Sequence, residues 1–275
     1  MNNADYHRSP GLNWSRLKAI LTSPLHFQTQ APIVPTTAMM IGTRIHELVL
    51  TPELPSEILV WRGGSRTSKE GKAEWEALVG AGVRVTDVPH IGADDERHAL
   101  RAADAVMSHP DARAIIEASE RETVLGWAQD GVECRGRADL TGSAGLWDLK
   151  KSITADIRAF GRDAAAREYY CQLEWYAMGL AEPPDCVGFI VVEATAPYDV
   201  LVCEVDAPTR RAAQERALKA LTLYRECEAS GVWPGRHPKR VTLSAPAWWG
   251  HSGTDPTRDE AARLAAHYAA GDYDV

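Results

Sequence analysis

Three features are missing from this sequence, and each absence narrows what the chain can be. None of its apolar runs approaches the ~18 residues that a membrane-spanning helix needs, and its first residues lack the basic and apolar regions of a signal peptide. No C-x-x-C pair occurs and the five cysteines are widely spaced, which argues against a zinc site and against a disulfide scaffold. We therefore expect a cytoplasmic protein with no membrane association.

An excess of positive charge is also missing, because the formal net charge is −8. A local basic lining is nevertheless enough to bind nucleic acid. Basic residues are concentrated in residues 61–72 and 207–240, whereas residues 251–275 are acidic. The glycine-rich segment 61–72 predicts either a solvated loop or a loop that contacts DNA phosphates, with Arg66 and Lys69 as the candidates.

Three short predicted strands stand at the centre of the chain. The segments 123–127, 132–140 and 146–150 are rich in apolar and β-branched residues, and polar turns separate them. Residues two apart in a strand face the same side, so Asp148 and Lys150 are predicted to project together while Leu149 enters an apolar layer. Asp139 is on the preceding strand, and Glu122 is one strand earlier.

Three carboxylates on one face repel one another unless a cation lies between them. Hard oxygen ligands without clustered Cys or His favour Mg²⁺ or Mn²⁺. A lysine beside such a site can orient a water molecule or neutralise charge that develops on a phosphate. The alternative is a surface hairpin with solvated acids and a solvated lysine.

Two further candidates lie on predicted helices. His46 is on a helix that follows residue 38 and stops at Pro52, and such a histidine is either a site residue or an ordinary core residue. Residues 153–160 and 162–181 also predict helices, and Gln172 and Tyr176 share one face of the second. A first helix is predicted with either Asn13 or Ser15 as its cap, and with its end at Ser23 and Pro24.

The flanking motifs resemble a family. The strings CRGRAD at 134–139, WDLKKSITADI at 147–157, Gln172-x-x-x-Tyr176 and Gly42-Thr43-x-x-His46 are similar, in this order, to the RecE-type exonuclease VIII branch of the PD-(D/E)xK nuclease superfamily. Ala138 replaces the usual proline, and Lys151 and Ser152 replace two threonines. Neither departure removes a metal ligand.

The resemblance implies an α/β fold: a PD-(D/E)xK, restriction-endonuclease-like core with a mixed central sheet flanked by helices and an N-terminal helical elaboration. It implies an exonuclease domain over residues 1–250, followed by an acidic tail over 251–275. It also implies a set of site residues. The metal ligands would be Asp139, Asp148 and the Leu149 carbonyl, with His46 and Glu122 completing the shell. Lys150 would be catalytic, with Gln172 and Tyr176 near the scissile phosphate. The DNA-binding candidates would be Arg135, Arg137 and Lys151.

The expected function is Mg²⁺- or Mn²⁺-dependent 5′→3′ exonuclease activity on double-stranded DNA ends. It would leave a 3′ single strand for a phage-type annealing protein in DNA recombination, and the family resemblance implies a homo-oligomeric ring, with a tetramer favoured. Two alternatives stay open. One is an endonuclease or repair nuclease of the same fold, and the other is a non-catalytic scaffold that binds DNA ends.

Overall fold

The structure of the chain, a computed structural model, describes residues 10–61, 68–80, 90–246 and 249. The chain divides into two compact units, Met1–Arg236 and His237–Val275. Of the second unit the structure describes 237–246 and 249, and these residues form no helix or strand. The acidic tail at 251–275 and Arg66 lie outside the described residues, so the domain boundary near residue 250 stays a prediction.

Two sheets form within the first unit. The strands of the described residues are β1 (Leu59–Trp61), β2 (His90–Gly92), β3 (Ser119–Gln129), β4 (Val132–Gly142), β5 (Leu146–Ser152), β6 (Val187–Glu193) and β7 (Val200–Glu204). Strands β1 and β2 form a parallel pair, and the other five form one sheet in the order β3-β4-β5-β6-β7. Only the β5–β6 pair of this larger sheet is parallel, so the central sheet is mixed, as predicted.

Helices cover this sheet. In the described part of the chain they are α1 (Trp14–Leu17), a 3₁₀ segment (Lys18–Leu21), α2 (Pro24–Gln28), α3 (Thr37–Leu50), α4 (Lys69–Gly80), α5 (Ala93–Ser108), α6 (Pro110–Glu117), α7 (Ile157–Ala166), α8 (Tyr169–Met178) and α9 (Ala207–Ser230). None of them is both long enough and apolar enough to cross a bilayer. Helices α7 and α8 make the crossover that the parallel β5–β6 pair requires.

The central strand β6 is buried on both faces, which explains its nearly continuous apolar sequence. Val187, Phe189 and Val191 enter a core with residues of α7, α8 and α9. Ile190 and Val192 enter a second core with residues of α3 and α5. The alternation of side chains along one strand thus joins two layers of helices to the sheet.

The N-terminal segment differs from the prediction of a single helix. Asn13 caps α1 by accepting a hydrogen bond from the Arg16 amide at 2.9 Å. Ser23 accepts one from the His26 amide at 3.3 Å and thereby starts α2, with Pro24 in its first turn. A serine before a proline ends one helix because the proline disfavours helical backbone before it, and the same pair favours the start of the next.

Candidate active site

Three ionisable side chains from separate elements converge beside strands β3 and β4 of the central sheet. His46 comes from α3, Glu122 from β3 and Asp139 from β4, and one possible ligand atom of each lies within 4.8 Å of the others. This mixed set of imidazole and carboxylate ligands can hold a divalent cation. Asp148, also predicted as a ligand, is not a member of this group and lies beside it on β5.

Asp139 ties β4 to the backbone of β5. The two strands are paired through Leu140 and Trp147, and beyond that pair the amide of Leu149 donates to Oδ2 of Asp139 at 2.8 Å. The same oxygen lies 3.6 Å from Nδ1 of His46. One carboxylate oxygen is therefore held between the β5 backbone and α3, which fixes the centre of the site.

Glu122 has an uncommon backbone conformation, and its side chain forms an ion pair with an arginine. Its φ is 54°, in the left-handed region, and its Oε2 lies 2.6 Å from Nε of Arg137. Burial raises the pKa of Glu122, and the negative charge of Asp139 raises it further, whereas Arg137 opposes both. The carboxylate form of Glu122 is therefore disfavoured overall, and the ion pair with Arg137 offsets part of that cost.

Asp148 is the most deeply buried acid of the site, at 1 % exposure. Its Oδ2 forms an ion pair with Nζ of Lys150, and no other group of the described residues donates a hydrogen bond to its two oxygens. Burial raises its pKa to about 6, although the charge of Lys150 acts in the opposite direction. A buried carboxylate needs a compensating partner, so these oxygens and the neighbouring His46, Glu122 and Asp139 fit a bound divalent cation.

Lys150 is enclosed by polar and aromatic partners. Its Nζ donates to Oε1 of Gln172 at 3.3 Å and lies 4.6 Å from the centre of the Tyr169 ring. Nε2 of Gln172 in turn donates to the hydroxyl of Tyr176 at 2.8 Å. Burial lowers the pKa of Lys150, but Asp148 and Asp139 outweigh it, so the pKa lies above its ordinary value. The ammonium form is thus the stable one near neutral pH.

The position of Tyr176 depends on a glycine in β4. A Cβ atom added to Gly136 would lie 2.6 Å and 2.9 Å from two carbons of the Tyr176 ring. The ring therefore packs directly on the strand backbone, and its hydroxyl reaches Gln172. The absence of a side chain at Gly136 allows the contacts from Tyr176 through Gln172 to Lys150.

The other predicted DNA-binding residues lie in different settings. Lys151 packs near α3, where a Cβ atom on Gly42 would be 3.9 Å from its Cε. Arg135 is anchored through its backbone, since its amide donates to the Leu12 carbonyl and its carbonyl accepts from Nε1 of Trp175. Lys69 is exposed at the first residue of α4.

Sequence reasoning missed two cations and one aromatic ring around Lys150. Nζ of Lys18 donates to the Arg167 carbonyl at 3.3 Å. Burial lowers the pKa of Lys18, and the positive charges of Lys150 and Arg167 lower it further. Tyr169 stands one helical turn before Gln172, a spacing that was visible in the sequence. No spacing signal connects Lys18 to Lys150, because tertiary folding alone brings them together.

The chain resembles known proteins in sequence and in fold. A family model described as "PDDEXK-like domain of unknown function (DUF3799)" matches residues 14–240. The crystal structure of a "Putative exonuclease" from Eubacterium rectale is similar at a TM-score of 0.54 and 11 % identity, covering 90 % of this chain and 95 % of that one, which shows a shared fold. The crystal structure of SSO0001 matches at a TM-score of 0.27 and 14 % identity over 68 % of this chain and 86 % of that one, too low to carry an argument. No curated protein matches the chain.

Proposed function

The chain belongs to the family of PDDEXK-like domains, and on this basis we propose that it is a divalent-metal-dependent nuclease that hydrolyses phosphodiester bonds in DNA. One observation carries the proposal. A buried Asp148–Lys150 ion pair lies beside the His46, Glu122 and Asp139 group, and the acids come from three adjacent strands. Carboxylates that can hold a cation, together with a protonated lysine, are the groups that hydrolysis of a charged phosphodiester requires.

The residues that would hold the metal are Asp139, Asp148 and the carbonyl of Leu149, together with His46 and Glu122. Mg²⁺ or Mn²⁺ suits such oxygen-rich ligands. When bound, the ion supplies Lewis-acid stabilisation of the phosphate charge and activates a water molecule. Asp139 is prepared for this role, because the Leu149 amide fixes one of its oxygens.

Lys150 acts as a cation rather than as a base. Asp148 and Asp139 hold the pKa of Lys150 above its ordinary value, so its ammonium group donates hydrogen bonds near neutral pH. It can orient the attacking water and stabilise the negative charge that develops on the phosphate oxygens. Gln172 is a positioning residue in this mechanism, since it accepts from Nζ, and Tyr176 positions Gln172.

We further propose that the enzyme is a 5′→3′ exonuclease of double-stranded DNA ends, working with a single-strand annealing protein in recombination. Support comes from the CRGRAD, WDLKKSITADI, Gln172-x-x-x-Tyr176 and Gly42-Thr43-x-x-His46 motifs, which resemble those of RecE-type exonucleases. A homo-oligomeric ring, with a tetramer favoured, belongs to the same proposal, because repeated subunits would multiply a modest basic lining around the duplex. Light scattering would measure its mass, and a monomer that degrades long duplex processively would exclude the ring as the source of processivity.

Digestion of end-labelled linear duplex tests the function directly. With Mg²⁺ we expect release of label from the 5′ end before the 3′ end, no release in EDTA, and no digestion of a covalently closed circle. The matched control is Lys150→Ala, which should be inactive on every substrate. Cleavage of the closed circle would instead indicate an endonuclease. Binding of DNA ends without any cleavage would indicate a scaffold.

A further inference from the structure

The site holds a second ion pair, which joins Arg137 to Glu122, one of the proposed metal ligands. Arg137 binds Glu122 at 2.6 Å, while Glu122 also belongs to the group that converges with His46 and Asp139. The carboxylate therefore has two competing uses, since a divalent ion and a guanidinium both draw on its negative charge. Unlike the two carboxylates of this group, Arg137 can also bind an anion.

Charge balance shows what this competition implies. The ionised site contains the carboxylates of Glu122, Asp139 and Asp148 and the cations Arg137 and Lys150. With the His46 imidazole neutral, the groups carry one net negative charge. A divalent ion changes this to one net positive charge, which a single phosphodiester neutralises. These five groups are thus matched to one divalent ion and one phosphate group, and Arg137 supplies one of their two positive charges.

The position of Arg137 suits contact with a substrate. It lies two residues from Asp139 on β4, and its ion pair with Glu122 places its guanidinium beside the group of possible ligands. Its side chain is 27 % exposed. Val124, its partner across the β3–β4 ladder, is 42 % exposed. The guanidinium therefore lies at an open edge of the site, next to the carboxylates rather than behind them.

We propose that Arg137 passes from Glu122 to the substrate phosphate when a divalent ion binds the site. The ion takes over the negative charge of Glu122, and the guanidinium then donates to a non-bridging phosphate oxygen, an acceptor that suits its planar donor geometry. This coupling makes phosphate binding depend on the metal. It rests on the proposed nuclease function and assigns to Arg137 a role in substrate binding that follows metal binding.

Calorimetric titration of the purified protein with Mn²⁺ tests, without DNA, whether Arg137 and the ion compete for Glu122. The titration is done at about pH 8, where carboxylates are ionised. Removal of a competing cation should let Arg137→Ala bind Mn²⁺ roughly fivefold more tightly than the wild type. Arg137→Lys keeps the charge and should bind Mn²⁺ as the wild type does. Arg135→Ala, a charge removed two residues away on β4, is the matched control and should leave Mn²⁺ affinity unchanged. Equal or weaker Mn²⁺ binding by Arg137→Ala would overturn the proposal.

Binding of a short fluorescent duplex tests the transfer itself. In Ca²⁺ we expect Arg137→Ala to bind the duplex roughly tenfold more weakly than the wild type. In EDTA, Glu122→Gln releases the guanidinium and should bind the duplex roughly fivefold more tightly than Glu120→Gln, an exposed acid on the same strand. The comparison of the two glutamine variants remains valid even if Arg137→Ala fails to fold. Equal duplex binding by these two variants refutes the transfer.

A wild type that does not cleave DNA refutes the nuclease function, whereas cleavage with unchanged Mn²⁺ affinity in Arg137→Ala refutes only the transfer.

Discussion

Glu122 lies opposite Asp139 in the antiparallel β3–β4 ladder, although the two residues form no ladder pair of their own. The pairs Arg121 with Leu140 and Thr123 with Ala138 stand on either side of them and keep the register unchanged. At this point the backbone of Glu122 turns into the left-handed region, with φ of 54°. That conformation costs a non-glycine residue about 1 kcal/mol, and backbone strain of this kind is concentrated at functional sites.

The geometry of this pair explains how two strands produce a cation site. The ligand atoms of Glu122 and Asp139 lie within 4.8 Å of each other, so the two acids repel each other in the absence of a counter-charge. Burial and the charge of Asp139 raise the pKa of Glu122. The pair is therefore a feature that a bound cation would stabilise.

Gly136→Ala should destabilise the protein and disturb the site together. The new methyl group would meet the Tyr176 ring at 2.6 Å, and overpacking of this kind costs about 1–3 kcal/mol. Gly126→Ala on β3 is the matched control, because a Cβ atom there meets nothing within 4 Å. Chemical denaturation and a cleavage assay would measure both effects. A Gly136→Ala protein as stable and active as Gly126→Ala would show that Tyr176 does not depend on this contact.

Lys150→Ala should abolish cleavage, with a loss of at least about 100-fold in rate. It should also lower stability by about 3 kcal/mol, because Asp148 would be left buried without its ion-pair partner. Lys151→Ala should lose far less activity, since adjacent residues of a strand face opposite sides and Lys150 is the one that contacts Asp148 and Gln172.

The double variant Asp148→Asn/Lys150→Met separates these two effects. It removes both buried charges, so it should recover much of the lost stability while remaining inactive. Single-turnover cleavage per folded molecule, with folding followed by circular dichroism, is the measurement. Equal loss of activity in Lys150→Ala and Lys151→Ala would contradict the strand register on which both expectations depend.

His46→Ala should weaken metal binding with little change in thermal stability. The imidazole is partly exposed and lies 3.6 Å from Oδ2 of Asp139, so its loss removes a ligand candidate rather than core packing. Mn²⁺ titration and thermal melting would measure the two properties separately. His98→Ala, which removes a histidine bonded to Tyr198 at 2.7 Å, is the control and should leave Mn²⁺ affinity unchanged. A large fall in melting temperature with unchanged Mn²⁺ affinity would instead make His46 a structural residue.

Strand periodicity predicted which way the side chains of β5 face, because this property depends only on residues that are neighbours in the chain. The strands β4 and β5 occur where apolar and β-branched residues predicted them, with Leu149 in the core. Lys150 faces the other way, towards Gln172 on α8. The mixed sheet and its flanking helices are likewise confirmed by the structure and by the family match.

Other features depend on tertiary packing and leave no periodic signal. The left-handed backbone of Glu122 cannot be derived from residue type, because glutamate seldom adopts it. The contact of Lys18 with the Arg167 carbonyl joins residues far apart in the chain. The helix predicted over 153–160 begins only at Ile157, where the side chain of Asp156 caps it. The three preceding residues run without helical structure from the end of β5.

The pH dependence of stability should show a contribution from Asp148 of unusual sign. Its pKa is about 6 in the folded protein, above the ordinary value of 3.8, because burial disfavours its charge. The folded state therefore binds this proton more tightly than the unfolded state does. The stabilising contribution is fully present below pH 3.8 and is lost as the pH rises through 6. It amounts to about 3 kcal/mol.

Asp148→Asn cannot titrate at this position, so the difference in unfolding free energy between the two proteins reports Asp148 together with its ion pair to Lys150. We expect the wild type to lose stability relative to Asp148→Asn between about pH 4 and about pH 7 in denaturant titrations.

Activity should follow the opposite course, because Asp148 must be ionised to pair with Lys150 and to hold a cation. Cleavage should therefore fall as the pH decreases below about 6. A bound cation favours the ionised form, so raising the Mg²⁺ concentration should move this fall to lower pH. A stability difference that does not vary with pH would show that Asp148 is ionised throughout this range in the folded protein.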